Sequence, residues 1–274
     1  MNQKIKLFTS FASSVLLLLA SFYPSSSSTR LFWYYLLVAL LVNVVAVLFI
    51  AGPKLQDLKQ KWDFFILPIL LSIGIFFFVT YYPSKILQIL ISLFFGSALF
   101  FVYNSLSACR DKKLALPIFY RNLLTILSLG TIFLMSGIIY NFYLYWELPV
   151  YYLILPHFIV VFGINHFLTK HMLVAPSVYS HLYNLIMSLI ILEVSWVLSF
   201  WSVNYPAPPE KISFSYLGIP VASIIILIVY YCIWGMVYYL IEGRLTKKVI
   251  YEYLSVGAIT LILILLTTKW LPIV

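Results

Sequence analysis

Charge is scarce in this sequence. Only 9% of its 274 residues are charged, and Asp and Glu together number 8. Soluble domains carry about 25% charged residues, so a chain this poor in them lacks a water-facing surface. Cysteine is nearly absent. Cys109 in a basic loop and Cys232 in an apolar span are too few for a disulfide framework. These shortages exclude a cytosolic enzyme, a secreted disulfide scaffold and a disordered regulator. Catalytic signatures are missing too: there is no His-Glu-x-x-His site, Walker loop, Gly-x-Ser-x-Gly elbow or Gly-x-Gly-x-x-Gly turn. No paired aspartates stand at a spacing that would hold magnesium. The four histidines, His157, His166, His171 and His181, do not form a ligand set by spacing. No catalytic, metal-binding or cofactor-binding residue is therefore assigned.

Apolar runs fill the space that charge leaves. Hydrophobic residues make up 64% of the chain, and its mean hydropathy of +1.04 points to an integral membrane protein. A bilayer core of ~30 Å needs roughly 20 mostly apolar residues per helix. Nine segments qualify: 7–23, 31–51, 64–82, 86–104, 122–145, 149–168, 182–201, 218–240 and 250–268. Long apolar runs without alternation mean helices and not barrel strands. The expected fold is all-α, a polytopic transmembrane bundle in one integral membrane domain over 1–274. It has eight spans if 7–23, which follows Lys4 and Lys6 and ends at Pro24 and four serines, is cleaved as a signal peptide.

The net charge of +9 is an orientation signal and does not call for a nucleic-acid partner. With the N-terminus cytoplasmic, 13 of the 17 basic residues fall on the inner side, leaving Arg30, Lys85, Lys211 and Lys269 outside. The C-terminus is then external. The inner basic segments, among them Arg110-Asp-Lys-Lys and Arg244-Leu-Thr-Lys-Lys, meet anionic headgroups of the bilayer. Aromatic residues gather at the outer boundaries, as in Trp33 to Tyr35, Tyr81 and Tyr82, Tyr143 to Tyr152, Trp201 and Trp270, which is an ordinary interfacial belt. No internal repeat is visible between spans two to five and six to nine. Ser92 and Gly96, four apart, favour close helix packing.

Polar residues inside the spans mark a candidate site. Glu193 stands 12 residues beyond His181, ~18 Å along a helix and near the bilayer midplane. A carboxylate there is costly and points to function. His157 lies at similar depth in the preceding span, behind Pro156, and consecutive helices are often neighbours. Tyr230 and Tyr231 fall near mid-depth in the eighth span. These four residues compose a proton-handling or polar-substrate pocket, unless Glu193 and His157 only pin the helices together. Glu147 reads as a solvated turn carboxylate, and Asn43, Asn165 and His166 read as interhelical hydrogen-bond partners.

The C-terminal third, from Glu193-Val-Ser-Trp196 through Tyr230-Tyr231 to Gly243-Arg244-Leu245-Thr246 and Glu252-Tyr253-Leu254, resembles a group of uncharacterised bacterial multi-spanning membrane proteins. That resemblance implies a bacterial inner-membrane setting and no mechanism. The expected role is intramembrane binding or scaffolding. The alternatives are a small proton-coupled transporter using Glu193 and His157, and an intramembrane enzyme acting on a lipid-linked substrate.

Overall fold

A computed structural model describes residues 3–22, 29–52, 61–80, 84–110, 118–172, 180–200, 204–205 and 218–268. Lys112 and Lys113 and the belt residues Tyr81, Tyr82, Trp201 and Trp270 lie outside the described residues. The fold is all-α. The helices are α1 (Gln3–Phe22), α2 (Thr29–Ala51), α3 (Ile66–Thr80, entered through a 3-10 turn at Trp62–Phe65), α4 (Lys85–Arg110), α5 (Ile118–Tyr145), α6 (Tyr151–Met172), α7 (Ser180–Leu198), α8 (Val221–Ile241) and α9 (Lys247–Thr267). Among the described residues, nine helical segments are long and apolar enough to cross a membrane. A two-residue ladder, β1 (Asn204–Tyr205) on β2 (Ile219–Pro220), is the one strand pairing among the described residues.

The chain divides into two compact units, Met1–Thr131 and Ile132–Val274, with α5 contributing to both. In the first unit, α1 buries a polar stripe and not an apolar one: Lys6, Thr9, Ser10, Ser13, Ser14, Leu17, Ala20 and Ser21 recur at three- and four-residue spacing. Short hydroxyl side chains suit that face because they bond inside the helix or across it. Ser10 Oγ donates to the Lys6 carbonyl at 2.7 Å, and Ser14 Oγ donates to the Ser92 carbonyl of α4 at 2.5 Å. Gly96 permits this approach, since a Cβ there would sit 2.9 Å from Ser14 Cβ.

Deeper in the same unit, Asn43 of α2 ties four helices together. Its Nδ2 donates to Ser72 Oγ of α3 at 2.6 Å, while its Oδ1 accepts from Tyr103 of α4 and from Ser13 of α1. All four side chains are fully buried. With no water to compete, the bonds have to be made within the protein.

The end of α2 explains why α4 runs six residues past its expected limit at 104. Arg110 donates to the Ile50 carbonyl at 3.1 Å and Lys61 to that of Ala51 at 3.2 Å. Both basic groups meet carbonyls that a helix C-terminus leaves unpaired. Gly52 closes the helix with a φ of 111°. Cys109, expected in a loop, is consequently buried in α4.

The second unit has a corresponding knot. Asn165 of α6 accepts from Tyr230 of α8 at 2.5 Å and donates to Ser188 of α7 at 3.4 Å. Asn184 of α7 then reaches Thr169 Oγ1 at 3.0 Å. The two knots share one order: an asparagine, a serine from the next helix and a tyrosine from the one after. Each asparagine stands 14 residues after the first residue of its helix. The spans show no repeat in sequence, yet their buried hydrogen bonds repeat.

Two tight turns complete this unit. Glu147 takes a φ of 49° between α5 and α6, and the Leu148 N–H reaches back to the Tyr143 carbonyl at 3.1 Å. Gly243 takes 69° after α8, before Thr246 caps α9 through the Val249 N–H.

Candidate functional site

Tyr140 organises a second polar group at one end of the second unit. It and Asn141 lie on the last turns of α5, both buried. The Tyr140 hydroxyl donates to the Ser195 carbonyl of α7 at 2.8 Å. Its ring meets that of His157 on α6 edge to face, with centroids 5.3 Å apart.

His157 is 1% exposed, and its Nδ1 lies 2.8 Å from the Leu153 carbonyl. A carbonyl only accepts, so Nδ1 carries the proton and Nε2 presents a lone pair. That Nε2 has no hydrogen-bond partner among the described residues; nor do Ser195 Oγ and Asn141 Oδ1. The amide of Asn141 is oriented by its Nδ2, which donates to the Gly218 carbonyl at 3.1 Å. Two acceptors and a hydroxyl are therefore buried bare, each costing ~1–3 kcal/mol unless something pairs with it. Pro156 adds to this. Lacking an N–H, it leaves the Tyr152 carbonyl without its helical partner.

All of these groups lie shallow in their helices. His157 is six residues from the start of α6, Tyr140 five from the end of α5, and Ser195 three from the end of α7. At 1.5 Å per residue that is within ~9 Å of the helix ends.

Of the four residues singled out in the sequence, only His157 belongs to this group. Glu193 is exposed, on the face of α7 away from its buried stripe of Ser180, Asn184, Ser188 and Ser195. It therefore makes no pair with His157. With α7 ending at Leu198, three residues before the expected limit, Glu193 sits five residues from the helix end and not at the middle. Tyr230 is held in the Asn165 knot, and Tyr231 is exposed with its ring 5.3 Å from that of Tyr253. The sequence reading missed Tyr140, Asn141 and Ser195. The signal for Ser195 was its seven-residue spacing from Ser188, which sets both on one helical face.

Elsewhere in this unit the His166 and His181 rings stack at 5.8 Å. Among the described residues no group of three or more His, Cys, Asp or Glu is placed to hold a metal. No curated protein and no solved structure matches the chain. A family model described as "Protein of unknown function (DUF5656)" matches residues 12–267, far beyond the C-terminal third that carried the sequence resemblance. The chain thus belongs to this uncharacterised family.

Proposed function

We propose that this protein is an integral membrane protein that binds a small polar molecule at the Tyr140 group of its second unit. One observation supports the binding role: His157 Nε2, Ser195 Oγ and Asn141 Oδ1 are buried with no partner among the described residues. A purely structural cluster would bond most of its buried polar atoms internally, as Asn43, Tyr103, Asn165 and Tyr230 do in the two knots, where Asn184 Oδ1 is the exception. Coupling between Glu193 and His157 finds less support, because Glu193 is exposed on another face.

The proposed setting is a bacterial inner membrane, with the N-terminus cytoplasmic and the C-terminus outside. The alternation of basic residues along the chain supports it, together with inner segments able to meet anionic headgroups. Reporters fused at Lys112 and at Pro206 test the orientation. A cytoplasmic signal from the first and an external one from the second are expected, and the reverse pattern overturns it.

The binding role is tested by melting of the purified protein in sugar-free lipid nanodiscs. Removing a bare polar atom removes its burial cost, so Ser195→Ala and His157→Phe are expected to melt no lower than the wild type, and about 2 °C higher if each recovers roughly 1 kcal/mol. A fall of several degrees in both variants would show that these groups hold the fold together, and the binding role would be lost.

A further inference from the structure

We infer that the Tyr140 group receives an uncharged hydroxyl-bearing headgroup, of a sugar or polyol, entering from the adjacent membrane face; this rests on the binding role proposed above. The chemistry of the bare atoms sets the ligand class. His157 has committed its N–H to the Leu153 carbonyl and Asn141 one of its two amide N–H groups to that of Gly218, while Nε2 and Oδ1 only accept. The Ser195 hydroxyl both accepts and donates. A partner must then be rich in donors and carry an acceptor, as hydroxyl groups do.

Charge narrows the class further. From Gly130 to Thr169 and from His171 to Glu210 the sequence has no Lys or Arg, and none stands on α8. A phosphate or carboxylate would therefore find no cation among the described residues at this end of the second unit. Glu147, exposed in the α5–α6 turn, would repel it. An ammonium would in turn be stripped of water beside three neutral atoms while the Glu147 carboxylate stays exposed in the turn, which is costly at this depth. An uncharged hydroxyl compound meets neither penalty.

Position supports the same class. The bare atoms lie within ~9 Å of the helix ends, a depth reached by headgroups and not by the bilayer centre. At the same ends of α5 and α6, Trp146 and Tyr151 are about half exposed, with the Trp146 ring 4.6 Å from that of Phe142. Flat aromatic faces receive the C–H faces of sugar rings.

A comparison of the two knots argues that the group is not needed to build the helices. Six residues into α6 is His157; six into α2 is Tyr35. Seven residues beyond Ser188 is Ser195; seven beyond Ser72 is Val79, which is buried. The first unit keeps the Asn–Ser–Tyr order without these polar groups.

The test uses the full chain in phosphatidylethanolamine nanodiscs containing glucosyl diacylglycerol, the same fraction of sugar-free diacylglycerol, or phosphatidic acid, with soluble glucose added to the sugar-free discs as a fourth arm. The wild type is expected to melt about 3 °C higher with glucosyl diacylglycerol than with diacylglycerol. Ser195→Ala and His157→Phe should lose that rise. An equal rise with soluble glucose alone also supports the class and assigns the source to free sugar. A rise of the same size with phosphatidic acid, or one retained in both variants, overturns the inference. No rise with either sugar overturns it as well, while the binding role stands if both variants still melt no lower than the wild type in sugar-free discs.

Discussion

Exchanging Asn43 for leucine is expected to destabilise the first unit by about 3 kcal/mol, a fall of roughly 6–10 °C in apparent melting temperature. The volume is nearly conserved, so the loss comes from hydrogen bonding. Asn43 joins Ser13, Ser72 and Tyr103 of three other helices, and a leucine removes one hydrogen bond from each of the three hydroxyls. Ser72 keeps its bond to the Pro68 carbonyl at 2.6 Å, so the larger share falls on Tyr103. Interhelical hydrogen bonds in membranes average ~0.6 kcal/mol and reach ~1.7, so three around one amide account for the estimate. Tyr103→Phe should cost less, because it removes one donor and leaves Asn43 its other partners. In a double-mutant cycle the two changes should be strongly non-additive, since Asn43→Leu has already orphaned the phenol. Additive losses, or a melting temperature within a degree of the wild type, would show that the knot does not carry this stability.

The sequence disclosed the spans more readily than their inward faces. Uninterrupted apolar runs are a one-dimensional property, and the nine segments lie within a few residues of the observed helices. Their ends moved where partners distant in sequence supplied the closure. Arg110 extends α4 because the Ile50 carbonyl is there to receive it, and nothing local to residue 110 says so.

Glu193 shows a different failure. Its charge drew notice, while the serines and asparagine of the same helix did not. Yet Ser180, Asn184, Ser188 and Ser195 recur at spacings of four and seven and define the buried face, from which residue 193 is displaced. The face was legible in the periodicity of the small polar residues. The Tyr140 group was not, because it depends on which atoms of three helices remain bare after the rest have paired. The correspondence between the knots was hidden for a related reason. Apolar positions in lipid-facing helices interchange freely and leave no alignment, whereas three polar side chains per unit carry the pattern.

Introducing valine at Gly235 is expected to detach α9 from α8 while the first unit stays folded. Of α9, Gly257 is the buried residue, and the remaining positions are partly or fully exposed. Its attachment thus depends on a few close contacts. A Cβ at Gly235 would stand 2.2 Å from Tyr253 Cε1, and a Cβ at Gly257 would stand 2.6 Å from Cys232 Sγ, so each helix lends a glycine to a side chain of the other. The Tyr253 ring has little freedom to yield, because Tyr231 and Tyr239 lie at 5.3 and 6.2 Å from it. Cys232, which donates to the Tyr253 carbonyl at 3.3 Å, reports the separation directly. Its thiol should react with N-ethylmaleimide at least tenfold faster in Gly235→Val, matching a loss of ~1.4 kcal/mol in local closure. Cys109, buried in α4, provides the internal control and should keep its wild-type rate. Adding Tyr253→Ala should restore much of the protection by vacating the space the valine needs. An unchanged rate at Cys232 would mean that the helices absorb the side chain without parting. A parallel rise at Cys109 would mean that the damage is not confined to α9, against the local attachment that Gly235 and Gly257 imply.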